Sequence, residues 1–371
     1  MEFMPRRRRR AALAALCGLA AGAFAFGVAI GDGTPPADQS AAPQLTPKQL
    51  AGQRVVVGYP GAEPPAAVRT MVREGRVAGV ILFDENFPSR AAGRRAIARL
   101  QAITRPAGLR DPLLVMIDQE GGLVKRIDGA PTASAEQIGA RGAAFAAQQG
   151  ARTAANLRDV GVNVDLAPVL DVGRPGGVIA MTERSFGSTA DRVSATAIPF
   201  AKALQAGGIA ATGKHFPGFG AATENTDFSV ERIDLSKSEL RAVDEKPYAA
   251  FVAAGGKLVM LSTAIYPAFS SDPAAFTRAI ATGELRNRLG FDGVTITDAL
   301  ETPAVEHFGS TAKAAVAGAR AGADLLLYTH LGSAEAAWRA LLAKLRSGAL
   351  DRGEFEAAVE RVLDLRGELP R

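Results

Sequence analysis

The chain has 371 residues, of which 47% are hydrophobic and 22% are charged, a composition typical of globular proteins with a large buried core. Its formal net charge of +5 is matched by five consecutive arginines at positions 6–10, so the rest of the sequence is close to neutral. This excludes the usual nucleic-acid footprint, which needs Lys and Arg clustered on one face of a folded domain. Cys17 is the single cysteine, which excludes an intramolecular disulfide.

The arginines are followed by an apolar run, AALAALCGLAAGAFAFGVAI, which contains neither charge nor proline. Basic, apolar and small residues in this order are typical of a signal peptide, and the run is also long enough to span a membrane. We therefore predict a signal peptide or an N-terminal membrane anchor over residues 1–30. Either one exports the rest of the chain, as a secreted protein or one anchored to the outer side of the cytoplasmic membrane. Residues 31–46 predict a flexible spacer, and residues 47–371 the folded domain.

Eight short apolar runs follow, separated by longer Ala-, Leu- and Arg-rich segments of helical period. They are VVVGY from residue 55, VAGVILF from 77, PLLVMID from 112, VNVDLAPVL from 162, GIAATGKHF from 208, KLVMLST from 257, GVTITD from 293 and ADLLLY from 323. Near-continuous hydrophobicity is typical of strands buried on both faces of a parallel sheet. The pattern predicts an α/β fold, a single-domain (β/α)8 TIM-type barrel, with an open doubly wound sheet as the alternative.

Signals for bound cofactors are absent from this sequence. No glycine-rich dinucleotide or P-loop fingerprint follows the first apolar run. The three histidines, His215, His307 and His330, are far apart and have no acidic partners at the spacing of metal ligands. We therefore expect no metal, no cofactor and no nucleic-acid partner, and membrane contact only through the N-terminal segment.

Polar residues occur where four of the apolar runs end. DQEGG begins at the end of the third run, TERSFG follows the fourth, GKHFPGFG extends the fifth and TDALE closes the seventh. The carboxyl ends of barrel strands meet at one rim, and this rim carries the active site of TIM-type barrels. Capping or surface solvation would explain any one of these segments, but four at one rim indicate a functional site.

Six segments carry a family resemblance: GVILF, DQEGGLVKR, NVDLAPVLDV, ERSFG, GKHFPGFG and LGFDGVTITDAL. In this order they resemble the barrel domain of family 3 glycoside hydrolases, especially the single-domain bacterial β-N-acetylhexosaminidases that act on cell-wall fragments. The resemblance covers roughly residues 45–365. It implies a retaining hydrolase that removes terminal β-linked N-acetylglucosamine-type sugars from peptidoglycan-derived or other β-glycosides. Such an enzyme uses a carboxylate nucleophile and a separate acid/base.

The resemblance also implies roles for individual residues. Asp298 in TITDAL takes the nucleophile position, and a carboxylate at the end of a buried strand is held rigidly enough for attack on an anomeric carbon. The alternative is a carboxylate that caps the next helix. The family positions that bind sugar hydroxyls fall on Asp118, Arg126, Arg184, Lys214 and His215. For His215 the alternative is a core histidine that orients a neighbour.

The acid/base is the point at which this sequence departs from the family pattern. Relatives have KHFPGHG and then an Asp-Ser-His triplet, whose histidine and aspartate together form the acid/base. This chain has Phe219 in the first motif and Asn-Thr-Asp at residues 225–227. We predict that Asp227, at the histidine position, is the acid/base, with Glu224 as second candidate. A non-catalytic sugar-binding protein and a substrate that needs little acid assistance are the alternatives.

Overall fold

The computed structural model describes residues 45–370, so the predicted signal or anchor segment and most of the predicted spacer lie outside the described residues. Each of the eight apolar runs contains a strand. The strands are β1 (Val55–Val57), β2 (Gly79–Ile81), β3 (Leu114–Ile117), β4 (Val164–Asp165), β5 (Ala210–Phe216), β6 (Leu258–Leu261), β7 (Val294–Thr297) and β8 (Leu326–Tyr328).

The strands form one parallel sheet that closes on itself. Its spatial order is β7-β6-β5-β4-β3-β2-β1-β8, and all neighbouring strands in this order pair in parallel. The two ends of this series meet, because Ile296 of β7 forms a parallel bridge with Leu325, directly before β8. The predicted (β/α)8 barrel is therefore confirmed, and the open-sheet alternative is wrong.

Helices precede β1, connect successive strands and follow β8. They are α1 (Pro47–Gly52), α2 (Ala66–Arg73), α3 (Arg90–Gln101), α4 (Ala135–Arg141), α5 (Ala143–Val160), α6 (Val178–Met181), α7 (Ala190–Ala206), α8 (Lys237–Glu239), α9 (Lys246–Ala253), α10 (Pro303–Phe308), α11 (Thr311–Ala321), α12 (Leu331–Arg346) and α13 (Arg352–Glu368). The described residues also form two π-helical segments, Leu240–Asp244 and Ala279–Arg288, and two 3-10 turns, Asp84–Asn86 and Ala274–Phe276. Within the part of the chain described, no helix combines the length and the apolarity needed to cross a membrane.

Side-chain caps fix where the first and last of these helices begin. The Thr46 hydroxyl accepts the backbone N–H of Gln49, and Pro47 occupies the first helical position, where a missing N–H costs nothing. The Asp351 carboxylate accepts the backbone N–H of Glu354 in the same way. The folded domain therefore has a defined helical start close to the predicted boundary at residue 47.

Successive strand residues point alternately into the barrel and outward to the helices. The interior cluster contains Val56, Met116, Met260 and Ile296 from the strands, together with Val362, Leu365 and Leu369 from the C-terminal segment. Arg366 of α13 is buried and donates hydrogen bonds to the carbonyls of Leu109, Asp111 and Pro112, directly before β3. α13 therefore closes the amino end of the barrel, which leaves the carboxyl end for a binding site.

Candidate active site

A cavity of about 380 Å³ opens at the carboxyl ends of the strands. Seven of the eight residues singled out from the sequence line it: Asp118, Arg126, Arg184, Lys214, His215, Asp227 and Asp298. The eighth, Glu224, is exposed and is not among the described residues that line the cavity. A larger cavity of about 600 Å³ lies at the opposite end of the barrel and contains none of the eight.

Opposite charges form a closely packed group on the floor of the cavity. Lys214 Nζ lies 2.7 Å from Asp118 Oδ1 and 2.7 Å from Glu120 Oε1. Glu120 also accepts two hydrogen bonds from Arg184, from Nε and Nη2, each of 2.8 Å. Lys214 and Glu120 are buried, and charges in the interior persist only when they are paired and hydrogen-bonded. Each member therefore depends on the others for its position.

The pKa shifts in this group show that its members stay ionised at neutral pH. Burial opposes ionisation of Glu120, but the charges of Arg184 and Lys214 outweigh it and hold the pKa of Glu120 well below its usual value. Burial also opposes ionisation of Asp118, whose pKa is nevertheless lowered by Lys214 and Arg126. Burial acts against the Lys214 ammonium, and the two carboxylates raise its pKa overall. The cavity floor thus offers fixed charged donors and acceptors, which suit sugar hydroxyls.

The DQEGGLVKR segment folds back on itself to bring Arg126 over Asp118. The buried Gln119 side chain accepts the backbone N–H groups of Arg126 and Ile127, at 3.0 Å and 3.2 Å. Arg126 Nη2 then lies 3.4 Å from Asp118 Oδ2. Gly121 makes the turn with a φ of 97°, where a Cβ atom would lie 2.3 Å from the carbonyl oxygen of Ala133. The paired glycines of the motif are therefore needed for the shape of the site.

A fully buried carboxylate fixes His215 at the end of β5. Asp171 Oδ1 accepts the backbone N–H groups of His215 and Phe219, at 3.0 Å and 2.7 Å. Asp171 Oδ2 lies 2.8 Å from His215 Nδ1. This contact occupies one ring nitrogen and leaves Nε2 as the imidazole atom available to a ligand in the cavity that His215 lines.

Glu120 and Asp171 are functional-site residues that the sequence reasoning missed. Both lie in segments quoted above, DQEGG and NVDLAPVLDV, and both are acids that follow a buried run. Asp171 is fully buried and Glu120 nearly so, which is rare for carboxylates unless they are paired. An acidic residue placed directly after an apolar strand is the sequence signal that both share with Asp298.

Asp298 lies directly after β7, in the position predicted for a nucleophile. Its backbone N–H donates to the Leu261 carbonyl at 3.0 Å, and its Oδ1 accepts the Ala299 N–H at 2.8 Å. The next helix, α10, has Thr302 as its N-cap, so Asp298 does not cap it. Burial raises the pKa of Asp298, an effect that His215 reduces and the neighbouring Asp227 charge increases.

The loop after β5 separates the two predicted acid/base candidates. Asn225 holds Asp227 through two contacts: its Oδ1 accepts the Asp227 backbone N–H at 3.1 Å, and its Nδ2 donates to Asp227 Oδ2 at 3.0 Å. Asn225, Thr226 and Asp227 all line the cavity. Both residues are exposed, but the Asp227 carboxylate is close enough to Asp298 to raise the pKa of Asp298, whereas Glu224 does not line the cavity.

The described part of the chain offers no cluster of side chains suited to bind a metal ion. Residues 45–370 contain no group of three or more His, Cys, Asp or Glu side chains that could hold a metal ion. Two carboxylates, Asp227 and Asp298, line the cavity together with the charged groups of its floor.

Comparison with known proteins places this architecture in a family. The family model described as "Glycosyl hydrolase family 3 N terminal domain" matches residues 47–365. An "Uncharacterized secreted glycosyl hydrolase" of Arthroderma benhamiae is 39% identical, covering 86% of this chain and 93% of the relative. A "Beta-hexosaminidase" of Stenotrophomonas maltophilia is 34% identical, covering 74% of this chain and 83% of the relative.

Solved structures similar to this chain carry names of the same kind as its sequence relatives. A family 3 β-N-acetylglucosaminidase from a Paenibacillus species has a TM-score of 0.82 and 34% identity, over 88% of this chain and 63% of the Paenibacillus chain. A β-N-acetylhexosaminidase from Beutenbergia cavernae has a TM-score of 0.80 and 31% identity, over 87% of this chain and 99% of its own. The family model matches most of this chain, and a relative that is 39% identical covers 86% of it, so the chain belongs to glycosyl hydrolase family 3.

Proposed function

We propose that this protein is a retaining β-N-acetylhexosaminidase that removes terminal β-linked N-acetylglucosamine-type sugars. The observation that carries the proposal is the pairing of Asp298 and Asp227 at one cavity whose floor holds charged hydrogen-bonding groups. Two carboxylates at the scissile bond are the usual machinery of glycosidases. The names of the Stenotrophomonas and Paenibacillus relatives support this sugar class.

The first chemical step forms a covalent bond between enzyme and sugar. The Asp298 carboxylate attacks the anomeric carbon while the bond from that carbon to the glycosidic oxygen breaks. Asp227, in its acid form, gives its proton to the departing oxygen, so the leaving group departs as a neutral alcohol. The backbone contacts of Asp298 to Leu261 and Ala299 hold the nucleophile in place for this attack.

The second step reverses the roles of the two carboxylates. Asp227, now ionised, accepts a proton from a water molecule as that water attacks the anomeric carbon. The bond from the sugar to Asp298 breaks, and the sugar leaves with the configuration it had in the substrate, because two inversions have occurred. Asp298 is again a carboxylate and Asp227 again an acid.

The residues on the cavity floor are proposed to bind the sugar that is cleaved. Asp118 supplies carboxylate acceptors, while Lys214 and Arg126 supply charged donors, so each hydroxyl meets a charge-assisted partner. Arg184 holds Glu120 and thereby fixes Lys214. His215, fixed by Asp171, offers its second ring nitrogen to a further hydroxyl.

Hydrolysis of aryl glycosides tests this function. We expect kcat/KM for an aryl β-N-acetylglucosaminide to exceed that for the matching β-glucoside by roughly 10⁴-fold, since a site that hydrogen-bonds a polar group of its substrate strongly rejects an analogue without that group. Proton NMR should show the β anomer of the sugar as the first product. A first-formed α anomer would contradict the retaining mechanism, and a preference for the glucoside would contradict the sugar class.

Calorimetry of sugar binding tests the sugar-binding residues. Arg126→Ala should weaken binding of the sugar by about 2–5 kcal/mol, because it leaves a desolvated partner without its charge-assisted contact. Arg94→Ala is the matched control, since Arg94 is exposed at the opposite end of the barrel and pairs with Asp159. Equal binding by the parent and Arg126→Ala would remove Arg126 from the proposed site.

We further propose that the protein is exported and acts on cell-wall fragments. Support comes from the five arginines and apolar run at residues 6–30, and from the Arthroderma benhamiae relative that is described as secreted. Residues 1–30 act as a signal peptide or as an anchor that is the chain's contact with the membrane. Cell fractionation with mass spectrometry of the N-terminus tests this. A full-length chain with an intact N-terminus in the soluble cytoplasmic fraction would contradict it.

A further inference from the structure

Within residues 45–370, the exposed large apolar side chains lie in segments at the carboxyl ends of three barrel strands. Among the described residues they are Leu123, Met181, Phe228 and Val230, with 79%, 63%, 81% and 43% of their surface exposed. All four lie in the segments between β3, β4 and β5 and the long helices that follow them, with Met181 at the end of the short α6, and these three strands are neighbours in the barrel. Apolar side chains collected at the mouth of a cavity indicate a surface that a ligand or partner covers.

Two of these side chains directly adjoin residues that line the cavity. Phe228 follows Asp227, and its backbone N–H donates to the Asn225 carbonyl at 2.9 Å. Leu123 precedes Val124, in a turn closed by two hydrogen bonds between Gly121 and Val124, of 3.0 Å and 3.1 Å. Both are therefore held at the edge of the mouth by short hydrogen-bonded turns.

The order of residues along the loop indicates what meets Phe228. The proton donor must contact the glycosidic oxygen, which joins the sugar bound in the cavity to the group that leaves. Asp227 lines the cavity, and the exposed Phe228 is the next residue of the same hydrogen-bonded turn, so Phe228 belongs to the segment of the rim that borders the departing group. A phenyl ring offers a flat apolar face, and the C–H face of a pyranose ring is its natural complement.

We propose that Phe228 is the platform of a subsite for the leaving group, and that its occupant is the second pyranose ring of a β-linked disaccharide. Leu123, from the loop after β3, contributes apolar surface at the same mouth. The proposal rests on the proposed function, because it takes Asp227 as the proton donor. The exposed carboxylates of Glu183 and Glu224 in these loops disfavour the other large apolar surface in a cell envelope, an anionic lipid layer.

Comparison of a disaccharide with a glycosyl fluoride tests the subsite. The fluoride leaving group is a single atom and reaches no platform, whereas N,N′-diacetylchitobiose places a whole ring outside the cavity. For Phe228→Ala we expect kcat/KM on the disaccharide to fall by about 3- to 10-fold, the range for a lost aromatic contact. We expect kcat/KM on β-N-acetylglucosaminyl fluoride to stay at the parent value.

Further variants separate the flat ring from the loop that carries it. Phe228→Trp keeps a flat face and should retain the disaccharide activity, while Phe228→Leu keeps apolarity alone and should lose it. Val230→Ala is the matched control, since Val230 is exposed in the same loop but adjoins no residue lining the cavity. It should leave both substrates unaffected.

Three results would overturn the subsite. These are an equal loss on both substrates in Phe228→Ala, no loss on either, or a parent protein whose dimerisation or vesicle binding disappears in this variant. The last result would assign the ring to a second copy of the chain or to a lipid surface. A parent protein that turns over neither substrate would instead overturn the proposed function, and the subsite with it.

Discussion

Asp298→Asn is expected to lower kcat/KM on the disaccharide and on the glycosyl fluoride alike, by roughly 10⁴-fold or more, as for the loss of other enzymic nucleophiles. Both substrates need attack on the anomeric carbon, so neither can escape the loss. Asparagine keeps the size of the side chain and can still accept the Ala299 N–H, so the barrel should remain folded. The effect then reports the missing carboxylate and not a change of structure.

Trapping of the covalent intermediate identifies the atom that is attacked. A 5-fluoro N-acetylglucosaminyl fluoride slows the second step, and mass spectrometry should find the sugar on a peptide that contains Asp298. Asp292→Asn is the matched control, because Asp292 is an exposed aspartate at the other end of the same strand. A label on any other residue, or full turnover by Asp298→Asn, would contradict the assignment.

The pH dependence of the parent protein follows from the same residue. Only ionised Asp298 can attack, and burial raises its pKa above the usual value of about 3.9. As pH falls, kcat/KM on the fluoride should therefore decline at a pH at which an exposed aspartate would still be ionised. The fluoride needs no proton donation, so its acid limb reports the nucleophile alone. A profile that stays flat down to pH 4 would contradict the raised pKa.

The barrel was predictable because each buried strand leaves its own apolar run in the sequence. The first and last residues of each strand were less predictable. The fourth run has nine apolar-rich residues, VNVDLAPVL, but only Val164–Asp165 form the strand. Pro168 lacks the N–H that a ladder hydrogen bond needs, so a strand cannot continue regularly through it.

Binding-site residues divide according to what their side chains do. Asp118 and Arg126 stand in a motif, and their contact spans eight residues of one folded-back segment. Glu120 and Asp171 act by holding Arg184 and His215, at sequence separations of 64 and 44 residues. Such pairs exist only once the barrel has brought neighbouring strands together, so composition and spacing do not reveal them.

The loop after β5 is a second case in which sequence spacing did not reveal the contacts of a candidate residue. Glu224 and Asp227 are three residues apart in sequence, and both are carboxylates in a segment without regular structure. Their surroundings differ because the Asn225 side chain forms two hydrogen bonds with Asp227 at the cavity edge. The sequence therefore left both candidates open, and the geometry favours the proposal of Asp227.

Asp227→Asn is expected to separate substrates by how much their leaving groups need a proton. On the disaccharide, kcat/KM should fall by about 10²–10⁴-fold, the range for loss of general acid catalysis. On the glycosyl fluoride, kcat/KM should stay near the parent value, because fluoride departs without a proton. The second step still lacks its base, so kcat on the fluoride should fall and the covalent intermediate should accumulate.

Azide gives an independent readout of the same residue. It attacks the intermediate without base assistance, so adding it should restore kcat of Asp227→Asn on the fluoride and yield the β-glycosyl azide. Glu224→Gln is the matched control, because Glu224 is a carboxylate of the same loop that does not line the cavity, and this variant should behave as the parent on both substrates.

If Glu224→Gln shows the substrate-selective loss, Glu224 is the acid/base. If neither variant loses activity on the disaccharide, the proton comes from outside this loop. A parent chain that binds the sugar but turns over neither substrate would instead support the alternative of a non-catalytic sugar-binding protein.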